Sequence, residues 1–153
     1  MHLLELLREV AKMESYRFIL ETNGILLGSR ATCSRELSGF PSLHVRVSIK
    51  GCNDQEFTML TGARPEGYRM QLDSLRNMNA AGVSCHPAVM VSFSTTRNLE
   101  GFKGRIQEMG QGLLADLEVE ELILYPNVVK KLERWKLAYD LAYSPDEVPK
   151  RLV

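Results

Sequence analysis

The sequence predicts an α/β fold built on about four mainly parallel strands. Two observations carry this. Short apolar runs of strand character alternate along the chain with segments of helical periodicity, which implies parallel pairing through right-handed crossovers. Two of these runs also end alike in polar residues: Arg17-Phe18-Ile19-Leu20 opens into Glu21-Thr22-Asn23-Gly24, and Val45-Arg46-Val47 runs into Ser48-Ile49-Lys50-Gly51. In parallel α/β folds the carboxyl ends of strands form the ligand crevice.

The elements follow in order. Leu3, Leu4, Leu7, Val10 and Ala11 have the three-four spacing of an amphipathic helix over Leu3–Lys12. Tyr16–Leu20 reads as a short buried strand, and the polar stretch Ser29–Ser38 as a short helix before a turn at Gly39 and Pro41. Val45–Ile49 is the second strand. Asn53 or Asp54 then caps a short helix carrying Phe57 and Leu60, because an Asx side chain accepts from first-turn N–H groups. Pro65 and Gly67 open a longer helix with Tyr68, Leu72, Leu75 and Met78 on one face, stopped at Gly82. The third strand is Ala88–Phe93, followed by a helix with Leu99, Phe102, Ile106 and Met109 in register. Leu122–Tyr125 is the last strand, ended by Pro126, and Val128, Leu132, Trp135 and Tyr139 form the stripe of a final helix. Residues 1–143 make one domain and residues 144–153 a Pro-bearing polar tail.

Composition narrows the function. The 153 residues suffice for one domain with a real core, and 44% hydrophobic with 25% charged residues reads as globular. Nineteen basic residues balance nineteen acidic ones, so there is no basic field for nucleic acid. No apolar run approaches the roughly 20 residues that span a bilayer. Met1-His2-Leu3-Leu4-Glu5 lacks the basic start and long apolar stretch of a signal peptide, which places the chain in the cytoplasm by default. Cys33, Cys52 and Cys85 form neither a disulfide framework nor a zinc pattern, and no metal site is expected.

The candidate site residues lie at strand ends. Glu21, Thr22 and Asn23 place a carboxylate, a hydroxyl and a carboxamide at the first, although Asn-Gly is also a strong turn pair. Ser48 and Lys50 alternate with Val47 and Ile49 on the second; Lys50 reads as a ligand contact, a solvated strand-end lysine or an amine activated by burial. Met90 and Ser92 alternate on the third, and Tyr125 and Pro126 end the fourth. His44 and His86 read as structural. Asp116, Glu118, Glu120 and Glu121 read as a solvated helix-to-strand loop, and Lys130, Lys131, Arg134 and Lys136 as the wet side of the final helix.

The segments Leu20-Glu21-Thr22-Asn23-Gly24, Val45-Arg46-Val47-Ser48-Ile49-Lys50-Gly51, His86-Pro87-Ala88-Val89-Met90 and Glu120-Glu121-Leu122-Ile123-Leu124-Tyr125-Pro126 come in an order and separation that resembles the later part of a radical S-adenosylmethionine (radical SAM) protein. The branch is that of pyruvate formate-lyase activating enzymes and related iron–sulfur oxidoreductases. The resemblance implies a partial βα barrel, its four strands matching strands three to six, with helices on the outer face. It implies S-adenosylmethionine contacts from Glu21, Thr22, Asn23, Ser48, Lys50, Met90 and Tyr125. The family's Cys-x3-Cys-x2-Cys loop, which ligates a 4Fe–4S cluster, and its Gly-Gly-Glu-Pro segment are absent from this sequence. Cluster ligation needs thiolates at short set spacings, so this chain is expected not to hold the cluster alone. It is expected to bind the cofactor weakly, or only with a cluster-bearing amino-terminal partner, as in a split or truncated enzyme. The alternative is a non-catalytic half-barrel module that assembles or self-associates through its open sheet edges. Catalytic residues and substrate are not legible.

Overall fold

The computed structural model describes residues 2–13 and 15–150. Helix α1 (His2–Val10) buries Leu7, and the chain then enters strand β1 (Phe18–Thr22). Two short helices, α2 (Ile25–Ser29) and α3 (Ala31–Leu37), lead to β2 (Leu43–Lys50). Helices α4 (Asp54–Thr61) and α5 (Glu66–Ala80) connect β2 to β3 (Cys85–Met90). Helices α6 (Thr96–Met109) and α7 (Gln111–Ala115) connect β3 to β4 (Glu118–Glu120). The four strands form one parallel sheet in the order β1-β2-β3-β4. A second parallel pair joins β5 (Leu122–Ile123) to β6 (Ala142–Tyr143), with α8 (Pro126–Trp135) between them and a 3-10 turn at Pro145–Glu147 after them.

Strand β2 shows why the sheet has two unlike faces. Leu43, Val45, Val47 and Ile49 are buried and His44, Arg46, Ser48 and Lys50 are not, which is the period of two that a strand imposes. The apolar set joins Val89 of β3, Leu72, Leu75 and Met78 of α5, and Phe102 and Ile106 of α6 in a single core. The helical layer therefore covers one face and leaves a polar face open. Fully burying one such aliphatic side chain contributes about 1.5–3 kcal/mol, so this layer contact dominates stability.

One contact in it is unusually close. A Cβ built on Gly28 of α2 would stand 1.8 Å from the Met70 carbonyl oxygen of α5. Only glycine lets these helices approach that near.

Several expectations shift. The first strand is not buried: β1 begins two residues later, stands at the sheet edge and alternates between half-buried and exposed, with Ile19 63% exposed. After it the chain goes directly into α2, because Gly24 adopts φ 75°, a left-handed turn open to glycine. The third strand starts at Cys85, not Ala88, and takes in Pro87. Its other neighbour β4 reaches only Ala88 to Met90, so Pro87 pairs with Val47 alone and its missing N–H costs no bond on the far side.

The fourth strand of the sheet is Glu118–Glu120, the segment read from sequence as a solvated loop. Glu118, Val119 and Glu120 alternate because Val119 joins the core while both carboxylates find cations on the open face. The residues assigned to that strand form the separate β5 pair instead. The last helix ends at Trp135, where Lys136 turns left-handed at φ 52°. Tyr139 is therefore off the helix, and Trp135 is exposed under the Arg134 guanidinium, 5.5 Å from the ring centroid. The polar tail is partly ordered by the 3-10 turn, and its end at 151–153 lies outside the described residues.

Candidate functional site

Cross-strand register arranges the open face in rows, three of them beyond the Ile19–His44 pair. Glu21, Arg46 and His86 align in the first. Ser48, Ala88 and Glu118 form the second, and Lys50, Met90 and Glu120 the third. The middle row begins with two small side chains, Ser48 and Ala88. Ala88 is fully buried there, so the row is not open to solvent at its centre.

Arg46 organises the charges. Its guanidinium donates to Glu21 Oε1 at 2.7 Å, to both Glu118 oxygens at 2.9 and 2.8 Å, and to Glu120 Oε1 at 2.6 Å. Lys50 Nζ reaches the other Glu120 oxygen at 3.3 Å. The hydrogen bonds from Arg46, reinforced by His86, hold Glu118 down to about 2. The same bond to Glu118 raises Arg46 further above its already high value.

A histidine relay runs into this cluster from the amino-terminal end of the strands. Arg17 Nη2 and Ser84 Oγ lie 3.3 and 2.7 Å from His44 Nδ1. Guanidinium only donates, so His44 Nδ1 accepts and its proton sits on Nε2. That N–H donates to His86 Nδ1 at 2.6 Å, which leaves His86 Nε2–H to donate to Glu118 Oε2 at 3.2 Å. The rings stack with centroids 4.9 Å apart. Burial, the neighbouring His86 and Arg17 together lower the His44 pKa. The chain Ser84–His44–His86–Glu118–Arg46–Glu120–Lys50 thus crosses the open face from one strand end to the other.

The carboxyl ends of the strands are tied down separately. Gln71 of α5 is buried, and its Nε2 donates to the carbonyls of Asn23 and Ser48 at 3.0 and 2.9 Å. Beyond β2, Asn53 Oδ1 caps α4 by accepting from Glu56 N, and Glu56 Oε1 accepts in return from Asn53 Nδ2. The Glu56 carboxyl also accepts from Cys52 N, Ser94 Oγ and Asn98 Nδ2. Tyr68 Oη donates to the Cys52 carbonyl and receives from Arg105; burial pushes the phenol up to about 12.

The open face brings together four of the residues expected from sequence: Glu21, Ser48, Lys50 and Met90. Thr22 points the other way, and its Oγ1 accepts from Gly24 N at 3.1 Å. Asn23 Oδ1 accepts from Ile25 N at 3.1 Å, the turn role also open to it from sequence. Tyr125 lies off the sheet, as the exposed residue preceding α8. Sequence reading missed Arg46, His44, His86, Glu118 and Glu120 as members of the site. The signal was present for β2, whose alternate residues His44, Arg46, Ser48 and Lys50 are all polar.

The thiols stand apart: Cys33 on α3, Cys52 in the loop after β2 and Cys85 at the start of β3. Burial raises the Cys52 pKa and pushes Cys85 up to about 11, which disfavours the thiolates a cluster needs. Among the described residues, no three His, Cys, Asp or Glu side chains are placed to hold a metal ion. No helix among the described residues is long and apolar enough to cross a membrane. Comparison with protein-family models, with curated proteins and with solved structures finds no match.

Proposed function

We propose that this chain is the carboxyl-terminal portion of a radical SAM barrel, supplying one wall of the cofactor and substrate cavity and catalytically incomplete alone. The observation that carries the reading is the one-sided parallel sheet, whose open face is polar at its carboxyl half. A barrel turns that face inward. The charged set there suits a zwitterion, once the ion pairs these residues make with one another are exchanged for the ligand: Glu120 and Glu21 for the ammonium and sulfonium charges, Lys50 and Arg46 for the carboxylate. Bound beside a reduced cluster, S-adenosylmethionine supplies hydrogen abstraction by a radical. Residues of this chain bind and orient; the cluster comes from elsewhere. The free edge of β1 is where a cluster-bearing partner would add a parallel strand. Helix α1 supports this, since it packs in the same layer as the crossover helices and leads into β1 as they lead into their strands.

Titration calorimetry tests the reading. Alone, the chain should bind S-adenosylmethionine no better than about millimolar, because the chelating iron is missing. With a cluster-bearing amino-terminal fragment of an activating enzyme, binding should tighten at least about tenfold and be lost on Ser48→Leu, which puts a bulky apolar side chain on the polar face. Micromolar binding by the isolated chain, or tight binding that ignores Ser48→Leu, contradicts it. So does a stoichiometric 4Fe–4S spectrum from the chain alone that disappears when Cys33, Cys52 and Cys85 are replaced.

A second reading, a non-catalytic module that self-associates, draws on one observation. Ile19 is exposed on edge strand β1, on the open face, and on the strand's other side an apolar pocket of about 240 Å³ is lined by Leu3, Leu4, Leu20, Leu26 and Leu27. A concentration-dependent dimer abolished by Ile19→Lys, with no cofactor binding under any condition, would favour it.

A further inference from the structure

Between α5 and α6, beside the loop that follows β2, we infer a binding site for an organic phosphate. A groove of about 510 Å³ lies there, lined by Arg69, Arg76, Arg105, Tyr68 and Leu72 among others. Arg69 and Arg76 are seven residues apart on α5, so they share one helical face about 10 Å apart along the axis. Leu72 lies between them, is buried, and gives the groove an apolar floor.

The three arginines are not equivalent. Arg76 is already paired with Asp73 at 2.6 Å. Arg105 is half-buried and fixed: both of its hydrogen bonds run from Nη2, to the Cys52 carbonyl and to Tyr68 Oη, and its guanidinium lies 5.9 Å from the Tyr68 ring centroid. Its Nε is buried without a partner. Arg69 has no ion pair or side-chain hydrogen bond among the described residues. A free guanidinium facing a pinned one over an apolar floor is the arrangement that takes a phosphate oxyanion and covers an attached apolar group.

Two acids stand at the rim, Asp54 and Glu66. Each occupies the first turn of its helix, where the helix dipole offsets part of its charge. They balance the two arginines that Asp73 does not neutralise, so a phosphate would be held by directed guanidinium N–H donors and not by net charge. The site also touches the loop after β2 through Arg105 and Cys52, so an occupant would brace that loop from outside. The inference is independent of the radical SAM reading, because none of these residues belongs to the open face.

Phenyl phosphate is the probe, titrated into the whole chain by calorimetry and by amide-shift mapping. Binding on the order of 1 mM is expected, tighter than inorganic phosphate because the ring covers Leu72. Arg69→Gln should weaken it about tenfold, Arg69→Lys less, and Arg76→Gln about twofold because Asp73 already holds that charge. Arg69 and Arg76 are exposed, so all three variants should melt like the parent. Arg8→Gln on α1 is the control for nonspecific attraction. No binding at about 10 mM, equal affinity in parent and Arg69→Gln, or an equal loss in Arg8→Gln each overturns the inference.

Discussion

Replacing Arg46 by methionine tests whether the open face is held together by this one cation. Methionine keeps the length and apolar stem of the side chain and removes only the charge and donors. Three carboxylates then lose their partner: Glu21 at 63%, Glu118 at 47% and Glu120 at 20% side-chain exposure. The exposed Glu21 contact contributes a few tenths of a kcal/mol, and the Glu118 pair about 1 kcal/mol once its exposure is discounted. Glu120 is better shielded but keeps Lys50, so about 1–2 kcal/mol is lost there. The variant should be destabilised by about 3 kcal/mol in urea at pH 7. The cost must shrink on acidification. Glu118 has a folded value near 2 and an ordinary value of 4.5, so its stabilisation is complete above 4.5 and is lost as pH falls towards 2. The difference between parent and variant should therefore narrow between pH 5 and pH 2. Adding Glu118→Gln to Arg46→Met should recover part of the loss, since it removes a charge left without its partner. A difference below about 0.5 kcal/mol at pH 7, or one that does not change with pH, would refute this account of the open face.

Gly28→Ala should cost about 3 kcal/mol by thermal or urea melting, because the obstacle is the Met70 backbone and not a movable side chain. Gly104→Ala on α6, with nothing within 4 Å of the added carbon, should instead stabilise by about 0.5–1 kcal/mol through helix propensity. His44 has a lowered pKa in the folded state, so its contribution to stability is complete above its ordinary 6.5 and is lost as pH falls through the lower folded value. In His44→Gln the slope of stability against pH between 7 and 5 should flatten; an unchanged slope counts against the relay. Glu56→Gln should lower stability by about 2–3 kcal/mol, because an NH₂ group replaces an oxygen that faces only donors. A melt within about 0.5 kcal/mol of the parent would show that those donors find other partners.

The parts of the fold that were legible are those written in local chemistry. Asn53 announces α4, the register of Leu99, Phe102, Ile106 and Met109 announces α6, and the Val45-Val47-Ile49 alternation announces β2, since caps and periodicity act over a few residues. Glu118–Glu120 was misread because its strand character rests on Arg46, distant in sequence. A triplet with two acids has poor strand propensity until a cation on a neighbouring strand neutralises it. Helix α2 was hidden for a related reason. Ile25-Leu26-Leu27-Gly28-Ser29 is too short to show a period, and its packing depends on the absence of a side chain at Gly28. Of the site, Ser48 and Lys50 were accessible by alternation, whereas the His44–His86 contact needs β2 and β3 in register.

Gln71 has a mechanical consequence for the ligand edge. Its amide nitrogen bonds to the carbonyls of both Asn23 and Ser48, and so fastens two strand ends to one turn of α5. If the two loops shift independently, a part-buried carbonyl loses its donor, at a cost of about 1 kcal/mol. Motion together with the helix keeps both bonds. A ligand arriving there meets an edge whose backbone is already ordered, and little conformational entropy remains to be lost on binding. Adaptation to different ligands then falls to the side chains of the open face, while the outline of the edge stays constant.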